Sequence, residues 1–261
     1  MINMQNPKLI FFDVDNTLLD STNHQVPKST QDALKQLVTN GYTLFIASGR
    51  GLSNFLLTKV QEIIPWNGYI LSNGAVVYDS NFNEIFHHYI SDPLLTELIQ
   101  VARQNHITCF FGGKQNILLD PINDYVEQAH AFFNEAIPHQ GTYQGELIDK
   151  ILVYGPVHYA YDEFRSIEGL SVFPSMSTYA DIISEGISKY SGITELLNHK
   201  NLAIEYCAFG DAQNDIEMIT HATIGIAMSN GDNLLKSQAD YIADDINQDG
   251  IAKMLKQLNY I

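Results

Sequence analysis

Two aspartates in the stretch "FFDVDNT", Asp13 and Asp15, follow an apolar run and flank Val14, with Thr17 two residues beyond the second. Carboxylates this close repel each other and raise a pKa unless a cation or a shared proton relieves them. No His or Cys accompanies them, so a hard, oxygen-seeking ion such as Mg2+ suits the pair. A calcium-binding EF-hand loop is excluded: its sixth and twelfth positions require Gly and Glu, and Leu18 and His24 stand there. Two aspartates capping a turn are the structural alternative.

A second acidic stretch is "FGDAQNDIEM", where Asp211 follows an apolar run and Asp215 lies four residues on, with Asn214 between them. Carboxylates leaving the carboxyl ends of parallel strands point to one edge, so Asp211 can complete a metal shell that Asp13 begins. Asp215 reads either as N-terminal charge for a helix or as support for that shell. In "ASGR", Ser48 ends a strand where a helix starts, which is an anion seat or a plain N-cap. Lys189 in "ISKYSG" offers positive charge to an anion, or is a solvated lysine.

The elements that must carry these residues follow from periodicity. Leu9 to Phe12, Tyr42 to Ser48 and the run from Tyr69 are continuous apolar stretches, as in strands covered on both faces. Helical patterns separate them: one opened by Pro27 and stopped by Gly41, the other from Leu52 to Ile63. The rhythm returns from residue 186 onward, with strands at Glu205–Gly210, Thr223–Met228 and in "ADYIADD". This predicts an α/β fold, a doubly wound parallel sheet made by both ends of the chain. From about Tyr78 to Glu185, short apolar runs such as "NEIFHHYI", "KILVYG" and "ADIISEG" alternate with helical patterns and many turn residues, which predicts an inserted α+β domain. The expected divisions are 1–80 and 186–261 for the core and 81–185 for the insertion. An insertion leaving from the carboxyl edge of the sheet would overhang the site.

Composition narrows the partners. The chain has 261 residues, with 30 Asp+Glu against 14 Lys+Arg and a formal net charge of -16. That field disfavours nucleic acid and anionic membranes, so an anionic ligand must be held by a local site. Cys109 and Cys207 sit among apolar neighbours without CxxC spacing and read as reduced core thiols. There is no signal-peptide pattern and no membrane-length apolar run, so a soluble cytoplasmic protein is expected. His87, His88, His130 and His139 show no metal-binding spacing and read as surface or rim residues; Gly112-Gly113-Lys114 reads as a hairpin turn.

Taken in order, "DVDNT", "SGR", "SKYSG" and "GDAQND" resemble the haloacid dehalogenase superfamily of phosphohydrolases, and "LSNGA" (Leu71–Ala75) and "ADYIADDINQDGIAKML" resemble its Cof-like branch, with a Rossmann-like core and a large cap of type IIB. The resemblance implies that Asp13 is the nucleophile and forms an aspartyl phosphate. Asp15 would be the general acid that protonates the leaving oxygen and then activates water. Ser48 and Lys189 would bind phosphate; Asp13, the Asp15 backbone carbonyl and Asp211 would hold Mg2+; Asn214 would touch phosphate or, with Asp215 and Thr17, steady the shell. The implied substrate is a small phosphorylated metabolite, such as a sugar phosphate or phosphorylated cofactor. A phosphomutase or phosphotransferase, or a non-catalytic metal- and phosphate-binding regulator, would use the same residues. Asn16, Ser48 and "KYSG" stand where many relatives carry Gly, Thr and a Lys-Gly start. The oligomeric state is left open.

Overall fold

The computed structural model describes residues 7–175 and 177–261. Contacts divide the chain into two units: residues up to Phe86 together with Ser188–Ile261, and His87–Ile187. In chain order the first unit supplies β1 (Leu9–Phe12), α1 (Lys28–Thr39), β2 (Thr43–Ala47), α2 (Leu52–Leu57), β3 (Gly68–Leu71), β4 (Val76–Asp79) and β5 (Glu84–His87). The second unit follows with α3 (Asp92–Gln104), β6 (Cys109–Gly113), β7 (Ile117–Leu118), α4 (Asp124–Phe133), β8 (Ile148–Tyr154), α5 (Asp162–Arg165), β9 (Leu170–Pro174) and β10 (Tyr179–Ser184). The chain then returns to the first unit through α6 (Lys189–His199), β11 (Tyr206–Gly210), α7 (Ile216–Thr220), β12 (Ile224–Met228), α8 (Asn233–Gln238), β13 (Tyr241–Ala243) and α9 (Gly250–Gln257).

The large sheet runs β13-β12-β11-β1-β2-β3-β4-β5. Pairing is parallel from β13 through β3, and β4 then pairs antiparallel with β3, so the sheet is mixed at that edge and not parallel throughout. The "NEIFHHYI" run, expected in the insertion, supplies β5 of this sheet. This is why the first boundary between the units falls at Phe86/His87 and not after residue 80; the second falls at Ile187/Ser188.

Alternation along β1 explains the two cores. Ile10 and Phe12 pack with Leu34, Leu37, Ile251 and Leu255 of α1 and α9, while Phe11 packs with Ile193, Leu196 and Leu197 of α6. The Phe11 ring stacks on Phe45 and the Phe12 ring on Phe209, with centroids 4.6 and 5.1 Å apart. Each fully buried ring contributes roughly 1.5–3 kcal/mol from burial, which makes the central strand a rigid support.

Strand order reverses at β1, the topology that opens a crevice at the carboxyl ends. Register completes the placement, because Phe12 aligns with both Ile46 and Phe209. Asp13, Ser48 and Asp211 therefore leave the sheet at nearly one level.

The helix expected over Leu52–Ile63 is shorter than its apolar pattern. It stops at Leu57, and Lys59 at φ 57° turns the chain into a 3-10 turn, Val60–Glu62.

The second unit has its own sheet, β7-β6-β8-β10-β9, with antiparallel pairing throughout. Gly112-Gly113 ends β6 before the short hairpin to β7, with a register shift between the two glycines.

Candidate active site

Position begins with the helix that follows the return to the large sheet. Ser188 caps α6 through a reciprocal capping box: its Oγ accepts from Ser191 N at 3.2 Å, and Ser191 Oγ accepts from Ser188 N at 2.9 Å. Ser188 Oγ also donates to Glu217 at 2.6 Å. With its first turn fixed, α6 aims Lys189 inward, and its ammonium meets Asp13 Oδ1 and Asp215 Oδ1, each at 2.6 Å. Lys189 is thus buried and paired, not solvated.

Asp215 is held from both sides. Its Oδ2 accepts from the backbone N–H groups of Asp211 and Ala212, both at 3.0 Å, which closes a tight turn after β11. A side chain at Gly210 would run into the Asp215 carboxylate at 2.6 to 2.8 Å, so glycine is required there.

Carboxylate oxygens of Asp13, Asp211 and Asp215 lie within 4.8 Å of one another, and all three residues are buried. Burial is the main force pushing Asp13 up to about 7; Lys189 opposes it, and Asp215 and Asp15 add to it. Asp211 is raised well above the usual carboxylate range, first by burial and then by Asp13 and Asp215. Burial works against the Lys189 ammonium, but Asp13 and Asp215 outweigh it and hold its pKa above lysine's usual value. One ammonium among three clustered carboxylates leaves a formal excess of two negative charges. Asp13 Oδ2 is also buried without a hydrogen-bond partner. A hard divalent cation fits this donor set: all its donors are oxygens, one is unspent, and the missing charge is its own.

Asp15 stands apart from that cluster. Its Oδ2 accepts from Arg50 Nε and its Oδ1 from Arg50 Nη2, both at 2.8 Å, in a two-point fork. Ser48 is fully buried but does not cap α2, whose N-cap is Gly51; its Oγ accepts instead from Arg50 N at 3.1 Å. Thr17 Oγ1 is buried without a partner.

"LSNGA" forms a buried turn behind these groups. Ser72, Asn73 and Gly74 take φ values of 49°, 55° and 100°, a run that favours Asn and Gly. Ser72 N donates to Arg50 O at 2.9 Å, and Asn73 N to Ser48 O at 3.1 Å. Asn73 Oδ1 accepts from Asn214 Nδ2 at 2.8 Å, while Asn73 Nδ2 and Asn214 Oδ1 are buried without partners. Any side chain at Gly74 would overlap the Ser188 carbonyl, so the turn also abuts the start of α6. Sequence reasoning singled out neither Arg50 nor Asn73. The signal for Arg50 was its place in "SGR", a cation two residues after Ser48 at the strand end.

The haloacid dehalogenase-like hydrolase model matches residues 10–255, nearly the whole chain. The chain belongs to that family. The family's Cof-like, type IIB branch accommodates the two-unit chain, and the protein is a phosphatase of small phosphorylated substrates. A putative phosphatase of Bacillus subtilis, YkrA, is 28% identical over 264 residues, 97% of this chain and 98% of the relative. The 5-amino-6-(5-phospho-D-ribitylamino)uracil phosphatase YcsE of the same organism is 26% identical over 251 residues, covering 95% of this chain and 94% of its own. Among solved structures, the subclass IIB sugar phosphatase BT4131 superposes with a TM-score of 0.88 at 25% identity, over 98% of this chain and 100% of its own.

In this haloacid dehalogenase-like hydrolase the second unit links its polar side chains locally. His87 Nε2 meets Asp149 Oδ2 at 3.0 Å, and Tyr89 OH meets His87 Nδ1 at 3.0 Å. His130, expected at the surface, is buried and contacts Tyr154 OH at 3.0 Å. Among the described residues, no histidine joins a cluster that could hold a metal. Cys109 and Cys207 are buried free thiols, and no described helix is long and apolar enough to cross a membrane.

Proposed function

We propose that this protein is a Mg2+-dependent phosphomonoesterase acting on the phosphate ester of a sugar or of a sugar-derived metabolite, through an aspartyl phosphate on Asp13. The observation that carries the reading is the buried group of Asp13, Asp211 and Asp215 around one lysine, with Asp13 Oδ2 unspent. The substrate class rests on the relatives: one is described as a sugar phosphatase and another acts on a phosphoribitylamino compound.

Asp13, Asp211 and the Asp15 backbone carbonyl would hold Mg2+, with Asp215 steadying the turn that carries Asp211. The ion supplies charge neutralisation that lets one anion approach another. Asp13, held at the end of a rigid strand, attacks phosphorus through a carboxylate oxygen. Lys189 neutralises charge on Asp13 and on the incoming phosphate, whose oxygens also meet Ser48 and Asn214. Asp15 gives its proton to the leaving oxygen and later takes one from the attacking water. Thr17, buried two residues beyond Asp15, would steady the loop. Turnover to water, and not to a second acceptor, is supported by the phosphatase descriptions of the relatives, since the acid-base group could activate either.

The test is release of inorganic phosphate from a panel of sugar phosphates, phosphorylated cofactors and p-nitrophenyl phosphate with Mg2+, for the wild type and Asp13→Asn. The expected outcome is turnover by the wild type and a loss of at least ~1,000-fold in the variant. Equal rates in both proteins, or phosphate appearing on an acceptor instead of in solution, would contradict it.

A further inference from the structure

We infer that Arg50 is the positioning residue for Asp15, holding its carboxyl group in the orientation from which the proton passes to and from the reacting oxygens. This rests on the phosphatase reading above, in which Asp15 is the acid and base.

The fork from Nε and Nη2 takes one lone pair on each Asp15 oxygen. An ionised carboxylate has about four lone-pair positions, so about two are left to carry the travelling proton. The hold removes the freedom of the two side-chain torsions that would otherwise swing a partly exposed aspartate among several rotamers.

The arginine is anchored in turn. It is itself buried, its N–H donates to Ser48 Oγ at 3.1 Å, its carbonyl accepts from Ser72 N at 2.9 Å, and Nη1 reaches Asn54 O at 3.4 Å. Arg50 therefore ties the proton carrier to the backbone of the loop that bears Ser48 and to the strained Ser72–Gly74 turn. A lysine could place charge there but could not grip two oxygens in one plane.

The proton balance is closed. As the Asp13 oxygen bonds to phosphorus, the bond from phosphorus to the ester oxygen breaks, and the leaving alkoxide takes the proton of the Asp15 carboxyl. The resulting carboxylate lies in the Arg50 fork. Water then attacks phosphorus, its proton passes to Asp15, and the bond between phosphorus and Asp13 breaks. Alcohol and inorganic phosphate are the net products.

The inference separates from a purely structural ion pair through the leaving group. Departure of an alkoxide needs a proton in the transition state, whereas p-nitrophenolate leaves without one. The measured quantity is kcat/KM, which reports steps up to phosphoryl transfer, for glycerol phosphate and for p-nitrophenyl phosphate with Mg2+.

Arg50→Ala is expected to lower the alkyl-to-aryl ratio about 100-fold, within the range typical of a positioned acid, and Arg50→Lys about 10-fold. Asp15→Asn should show the same collapse of the ratio, and the double variant should be no worse than Asp15→Asn alone. If the alanine variant fails to fold, the lysine variant reads the same ratio. Parallel losses on both esters in the Arg50 variants, or an unchanged ratio, would overturn the inference while leaving the phosphatase reading in place. A wild type inactive on both esters, or Asp15→Asn losing both alike, would overturn the proposed roles and this inference with them.

Discussion

In the α/β unit Lys189 is one ammonium among three clustered carboxylates, Asp13, Asp211 and Asp215, whereas in the α+β unit Lys150 pairs with Asp181 at 3.3 Å and His87 with Asp149 at 3.0 Å. Both arrangements remove charge from water. A matched pair returns much of the desolvation cost through its own attraction, while an unmatched cluster keeps a deficit that protons or a bound cation fill. The two units therefore place charge for different ends. Matched pairs in the second unit fix its strands, and the surplus in the first marks the place proposed for the chemistry.

The contrast breaks most visibly at its two lysines. Lys189→Met strips the ammonium that pairs with Asp13 and Asp215 from a buried acidic group and is expected to cost ~3–5 kcal/mol at neutral pH in denaturant unfolding. A cost below ~1 kcal/mol would mean that the cluster is not under electrostatic load.

A smaller effect follows from Asp13, pushed by burial up to about 7 from a carboxylate's usual 3.8. Its folded-state pKa lies above its unfolded value, so the folded protein binds the extra proton. The stabilisation is full below about pH 4 and is lost as pH rises through about 7. Without Mg2+, the contribution of this group should therefore make the melting temperature decline between pH 4 and 7. Asp13→Asn should flatten that decline and melt higher than the wild type at pH 7. A wild-type profile identical to that of the variant would remove the strain assigned to this group.

The smallest effect belongs to the second unit. Lys150→Met is expected to cost about 1 kcal/mol, the low end of what a buried acceptor loses with one partner, because the Lys150–Asp181 contact at 3.3 Å is longer than those of Lys189; no change is expected on adding Mg2+. A loss as large as that of Lys189→Met would erase the distinction between the units.

Much of this was legible in the chain itself. The apolar runs before Asp13 and Asp211 are strands that a parallel sheet buries on both faces, and their register brings the two acids together. Lys189 was marked by its rarity in a chain of 14 Lys+Arg against 30 Asp+Glu. What was hidden needed contacts between distant residues. Nothing local to Arg50 shows that it grips Asp15, 35 residues away. The role of Asn73 depends on a positive φ and on Asn214, 141 residues on. Ser48 read as an anion seat or a helix cap; α2 does begin at Leu52, but with Gly51 as its N-cap, and the Ser48 hydroxyl accepts from Arg50 N, a contact that spacing alone does not show. The "NEIFHHYI" run alternates as any strand would, and only pairing decides that it joins the edge of the large sheet.

The central claim is that a divalent cation completes the charge of the buried cluster. The most direct measurement is the melting temperature of metal-stripped protein at pH 7 during titration with Mg2+, for the wild type and for Asp211→Asn. A concentration-dependent rise in the wild type, about 2.7 kcal/mol of stabilisation at a hundred times Kd, with the response weakened at least tenfold in Kd in the variant, is the predicted result. No rise in the wild type, or equal rises in both, would contradict it.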